Sequence, residues 1–251
     1  MPCCRGAKVR SRASTRSLSA AGLIASLLLM GGASSAHALA PAPRRTAEWV
    51  ASVVFRTVPR AAPRADARSL PTIFPVSQWG TPTELLVLGS RLDARGTQWL
   101  RVLVDDRPNG TAVWMNANDA VVHADPWRVV VSRGRREVSV FRDGRLVRSF
   151  GAVVGKPSTP TPAGRFAIAA ELRQPDAGEF EGAWVLPLTA HSNVLKRFAG
   201  GDGQVALHGR GGASLLDPLG TARSHGCVRL ANPAIGWIAS RVPAGTEVLV
   251  R

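Results

Sequence analysis

Residues 204–230 read QVALHGRGGASLLDPLGTARSHGCVRL, and the rest of the chain is organised around this run. His208-Gly209 comes first, and fifteen residues past Gly209 stands Ser224, opening Ser224-His225-Gly226-Cys227-Val228-Arg229-Leu230. Two histidines and a cysteine share one short segment. A thiol attacks carbonyls as its thiolate, and a neighbouring imidazole is the usual means of forming one near neutral pH. Gly209 and Gly226 let backbone approach closely and offer unhindered N–H groups, which a carbonyl oxygen needs where it turns negative. Gln204-Val205-Ala206-Leu207 is expected as a strand delivering His208 at its end. His225 lies two residues before Cys227, so on a strand both would face the same side.

Two blander readings compete. A lone cysteine is most often a small buried hydrophobe, and a lone histidine a satisfied core or surface residue. Structural zinc is the other, since His208, His225 and Cys227 are all ligand types. Such sites usually supply four ligands in short paired spacings. Here the fourth would have to be His191 or His123, neither in such a pair. The sequence therefore favours a nucleophilic thiol with no metal and no cofactor.

Outward from this segment the chain reads as short strands. Trp127-Arg128-Val129-Val130-Val131 opens the C-terminal half. Glu137–Arg142 and Arg145–Phe150 flank Asp143-Gly144, a two-residue hairpin signal, because these residues tolerate the positive φ that a type I′ turn demands. Residues 156–164 form a proline-bearing loop, and Arg165-Phe166-Ala167-Ile168 resumes a strand. Asn232-Pro233 predicts a helix start with Asn232 as cap, the helix running over Ala234–Val242 and stopping at Pro243. Glu247-Val248-Leu249-Val250 is the last strand.

The His-Gly, a loop of this length and the Ser-His-Gly-Cys-Val-Arg after it resemble the signature of the L,D-transpeptidase catalytic domain family (YkuD). Val154-Gly155-Lys156 and Thr161-Pro162-Ala163-Gly164-Arg165-Phe166 occur in the family's order too, so the resemblance spans residues 127–251. It implies a mainly β, β-sandwich-like catalytic domain with one or two short helices. It implies Cys227 as nucleophile and His208 as base, the imidazole held by the carbonyl of Gly209. The N–H groups of Cys227 and Gly226 are the oxyanion donors expected, Ser224 and His225 shape the loop, and Arg229 is placed to pair with a substrate carboxylate, although some relatives carry Asn there. The substrates implied are peptidoglycan stem peptides. An acyl group leaves D-alanine for the thiol as a thioester and then passes to another stem's amine; water as acceptor would make an L,D-carboxypeptidase. Carbapenems acylate the family. The rival outside catalysis is a cell-wall-binding protein with a vestigial site. A reactive Cys227 would show as one fast-reacting thiol near neutral pH.

Residues 46–125 are expected as a separate small β-rich domain. Leu85–Leu88, Trp99–Val104 and Ala112–Met115 are strand-like runs parted by turn residues, Pro108-Asn109-Gly110 among them. The stretch from Trp99 to Trp114 is similar to bacterial SH3-like modules of envelope proteins. Residues 1–38 read as an export signal: Arg5, Lys8, Arg10, Arg12 and Arg16 precede a short apolar run, and Ala36-His37-Ala38 gives a small-x-small cleavage pattern. Residues 39–45 are a linker. An uncleaved segment would act as a membrane anchor instead. Cys3 and Cys4 leave with the signal, so the exported protein holds one thiol and no internal disulfide. The formal net charge is +15, suited to an anionic partner such as a wall polymer. Arginine supplies most of it, which fits a compositional bias equally well. No basic run interleaves with aromatics, and no nucleic-acid motif occurs.

Overall fold

The computed structural model describes residues 47–198 and 201–251. The expected export signal, the linker and Cys3 and Cys4 lie outside these residues. Among the described residues no helix is long and apolar enough to cross a membrane.

The N-terminal part is one five-stranded antiparallel sheet: β1 (Glu48–Val53), β2 (Glu84–Leu92), β3 (Gln98–Leu103), β4 (Ala112–Asn116) and β5 (Ala120–Asp125), in the order β4-β3-β2-β1-β5. Its alternation is only partial, because β2 buries both faces. Leu85 and Val87 enter the sheet's own core with Leu100, Val102 and Met115. Leu86 turns the other way, packing with Leu103 against Ala167 of the C-terminal half. A strand covered on both sides reads as a continuous apolar run, as Leu85–Leu88 does.

The C-terminal half contains two sheets. The first orders as β10-β16-β6-β7-β8, from β6 (Trp127–Ser132), β7 (Glu137–Arg142), β8 (Arg145–Gly151), β10 (Gly164–Ala167) and β16 (Glu247–Val250). The second orders as β11-β12-β13-β15, from β11 (Leu172–Arg173), β12 (Trp184–His191), β13 (Gln204–His208) and β15 (Val228–Arg229). A parallel two-strand ladder joins β9 (Val154–Gly155) to β14 (Ala222–Ser224). One core takes Val129, Val131, Val138, Val140 and Phe166 from the first sheet and Leu186, Leu188 and Leu207 from the second. Ile235 and Ile238 add the buried face of α1 (Asn232–Ala239), the one α-helix among the described residues. The described residues are mainly β.

Asp143 and Gly144 both have positive φ, 51° and 75°, as the hairpin reading requires. The helix differs from expectation. Its N-cap is Ala231, and it ends at Ala239. Asn232 sits inside the first turn, and its side chain is turned to other work.

Candidate active site

β13 and β15 run parallel, with Leu207 opposite Val228 and His208 opposite Arg229. This pairing carries the two halves of the sequence signature to one end of one sheet. His208, His225, Cys227 and Arg229 all line a single pocket of about 460 Å³. Around them the pocket is walled by Phe180 and Glu181, by residues between β12 and β13, and by Trp79 of the N-terminal sheet module.

His208 is 3% exposed. Its Nδ1 lies 2.8 Å from the carbonyl oxygen of Gly209. A carbonyl can only accept, so Nδ1 carries the proton and Nε2 keeps its lone pair. Burial, reinforced by the nearby Arg229 guanidinium, pulls the imidazole down to about 4, against the backbone carbonyls of Gly209 and Glu181. Burial pushes the Cys227 thiol up from its ordinary value. Among the described residues the thiol makes no hydrogen bond with either imidazole. Both shifts favour the neutral forms, so the surroundings work against a preformed thiolate.

The loop around Cys227 is tied by its neighbours. Ser224 Oγ donates to the Cys227 carbonyl at 2.5 Å and accepts from the Gly226 N–H at 3.1 Å. Thr161 Oγ1 donates to the Gly226 carbonyl at 2.8 Å. Gly226 sits at φ +131°, a conformation that favours glycine. Of the two N–H groups expected to meet an oxyanion, that of Gly226 is thus already engaged, and that of Cys227 remains for the task. His225 and Cys227 lie in the bend between β14 and β15 and not on a strand, so the same-face argument does not apply to them. His225 is exposed; its ring stacks on Phe198 at 5.1 Å, and its Nε2 lies 3.4 Å from Lys156 Nζ.

Arg229 is 4% exposed. Its Nη1 bonds Asp217 Oδ2 at 2.6 Å, and the guanidinium lies 4.7 Å from the Phe180 ring centre. One edge of the fork is taken by Asp217, while the buried Nε has no partner among the described residues. His191 and His123, weighed as zinc ligands, stand elsewhere: His191 Nε2 bonds Asp202 at 2.9 Å, and His123 on β5 lies 3.6 Å from Glu84.

Sequence reasoning gave Asn232 only a capping role. Its Oδ1 accepts from the N–H groups of Ala183 and Arg210, both at 3.0 Å, and its Nδ2 donates to the carbonyls of Arg210 and Ala177. It thereby fixes the backbone on either side of His208-Gly209. The space is full: a Cβ on Gly209 would come 2.2 Å from Asn232 Oδ1. An Asn before a Pro signals a helix start, and that signal hid the second role.

The L,D-transpeptidase catalytic domain family (YkuD) matches residues 126–250. The YkuD protein of Bacillus licheniformis, named for L,D-transpeptidase activity, is 35% identical over 125 residues, 50% of this chain and 66% of that protein. Its namesake in Bacillus subtilis is 30% identical over the same shares. The chain thus spans just under two thirds of these relatives' length. Among solved structures, L,D-transpeptidase 3 from Mycobacterium tuberculosis in complex with a faropenem-derived adduct aligns at 14% identity, over 67% of this chain and 91% of that one, with a TM-score of 0.42.

Proposed function

Because residues 126–250 belong to the L,D-transpeptidase catalytic domain family, we propose that this protein is a cysteine-dependent acyltransferase that cross-links peptidoglycan stem peptides. The observation that carries the reading is the pairing of β13 with β15. It brings His208, its Nδ1 tied to the Gly209 carbonyl, into one pocket with Cys227.

Cys227 Sγ attacks the carbonyl carbon of the donor peptide bond as its proton passes to His208 Nε2. The oxygen turns negative, and the Cys227 N–H is the backbone donor available to it. The C–N bond then breaks, His208 returns the proton to the leaving D-alanine amine, and a thioester remains. An amine of a second stem attacks the thioester and gives its proton to His208, which hands it back to the departing thiol. A neutral imidazole and a neutral thiol suit this sequence, since the proton moves only as the new bond forms. Arg229 supplies positive charge beside the pocket, held by Asp217. Residues 1–38 read as an export signal, which would deliver the enzyme to the wall.

Intact mass spectrometry tests the assignment. Incubation with a carbapenem adds one inhibitor mass per chain, and Cys227→Ala abolishes the addition. Uptake of that mass by the alanine variant would make another residue the nucleophile.

A further inference from the structure

The connection from β12 to β13 leaves the sheet at His191 and returns at Gln204, and its residues Ser192, Leu195, Phe198, Gly201, Asp202 and Gly203 form one wall of the catalytic pocket. Within the C-terminal half His191 Nε2 meets Asp202 Oδ2 at 2.9 Å, Phe198 stacks on His225, and Phe198 and Gly201 exchange backbone hydrogen bonds. Ser192 Oγ accepts from the N–H groups of Val194 and Leu195, and the Ser192 N–H donates to the Gly203 carbonyl at 2.8 Å. Further support comes from the N-terminal module's loop between β3 and β4. Arg107 Nη1 donates to the Ser192 carbonyl at 2.9 Å, and Nη2 donates to the carbonyls of Asp202 at 2.7 Å and Leu195 at 3.4 Å. One guanidinium therefore spans both ends of the wall. Asn109 exchanges two hydrogen bonds of 2.7 Å with the backbone of His191, and Asp105 accepts from Gln204 Nε2 at 2.8 Å. Trp79, on the same module, lines the pocket directly.

We infer that Arg107 is a positioning residue for the acyl-transfer reaction: from a different module it holds the pocket wall that substrate must lie against, while Trp79 completes that site by contact. This rests on the proposed chemistry at Cys227. Arg is the residue type for the task, because a planar fork with fixed donor directions can hold two carbonyls at once, which a lysine ammonium on a flexible stem does poorly. Neither residue belongs to the machinery that moves protons.

The test uses the full chain and two probes of Cys227. A carbapenem must fit the whole pocket before it reacts; iodoacetamide needs only the thiol. In Arg107→Ala the concentration for half-maximal acylation rate should rise about tenfold, the equivalent of one or two net hydrogen bonds. The limiting acylation rate and the alkylation rate should stay within about twofold of the parent, since ground-state placement is what is lost. Arg107→Lys should fall between. Tryptic cleavage after Lys196 or Arg197, both exposed on the wall, should quicken in Arg107→Ala. Trp79→Ala should raise the half-maximal concentration without changing cleavage at the wall, which keeps the question open to test if Arg107→Ala folds poorly. If both alanine variants acylate with the parent's concentration dependence, the inference is wrong. If Arg107→Ala slows alkylation and limiting acylation equally, the arginine merely supports the fold and the inference is again wrong. A parent protein whose thiol alkylates but never takes up carbapenem would instead sink the proposed function.

Discussion

His208 is the residue on which the pH behaviour turns. In its proposed role as base it must be unprotonated, and burial pulls it down to about 4. Carbapenem acylation should therefore hold steady as pH falls through 6.5, the ordinary histidine value, and fail only near 4. Alkylation by a neutral reagent should keep rising as pH climbs past the ordinary thiol range, because burial lifts Cys227. A plateau in alkylation near pH 7 would mean a thiolate–imidazolium pair at rest and overturn both expectations. Removing the base is expected to slow acylation by about 10²-fold or more in His208→Ala. His225→Ala should cost far less, since that ring stacks in the open on Phe198. Loss of the acidic limb in His225→Ala, with that limb kept in His208→Ala, would exchange the two roles. That His208 and Cys227 share a pocket, with Gly209 beside the imidazole, was legible because their two runs resemble one family signature. The Asp217 partner of Arg229 and the Ser224 oxygen on the Gly226 N–H were not, because hydrogen-bond direction and partners across loops leave no mark in spacing.

At the scale of elements, period and turn chemistry identified most strands, and Asp143-Gly144 fixed a hairpin. β12 escaped notice for a physical reason. Pro187 stands within it, which argues against a central strand, and the ladder with β13 shifts register between Pro187 and His191. Asn232-Pro233 signalled a helix close to where one starts, but the cap is Ala231, and the Asn232 amide serves the loops bearing His208-Gly209. Asn232→Ala would leave the Ala183 and Arg210 N–H groups without their acceptor. A loss of about 2–3 kcal/mol is expected, read as a lower urea midpoint with unchanged slope. Acylation should fall along with it, since Gly209 orients the imidazole. An unaltered midpoint would mean that water replaces the amide without cost.

Across the whole molecule, the N-terminal sheet and the C-terminal half have separate cores but a shared seam. Glu48 of β1 pairs with Arg165 and Arg128, which both also meet Glu247 of β16. Thr246 Oγ1 donates to Asp125 at 2.6 Å, and a Cβ on Gly245 would come 2.4 Å from Val50. Two modules could be expected from the change in sequence pattern near residue 125; their tight seam could not, since its Glu48 ion pairs join residues 80 or more apart. The C-terminal core draws only on residues that follow Pro126. A fragment of residues 126–251 should accordingly fold, with native far-UV and near-UV circular dichroism, but bind carbapenem more weakly for want of Trp79 and Arg107. A fragment lacking near-UV signal would show the seam to be part of one core. The place of β16 carries a different consequence, one of timing. It lies between β10 and β6, parallel to β6, yet it is the most C-terminal strand described. As the chain emerges from its amino end, the first C-terminal sheet must wait with the slot between β10 and β6 empty. It cannot close until residue 250 has been made. Until then β6 and β10 present unpaired edges, the state most open to proteases and mispairing. The half-made chain is thus a dependent of whatever shields it, and loss of only the last few residues would leave that dependence permanent.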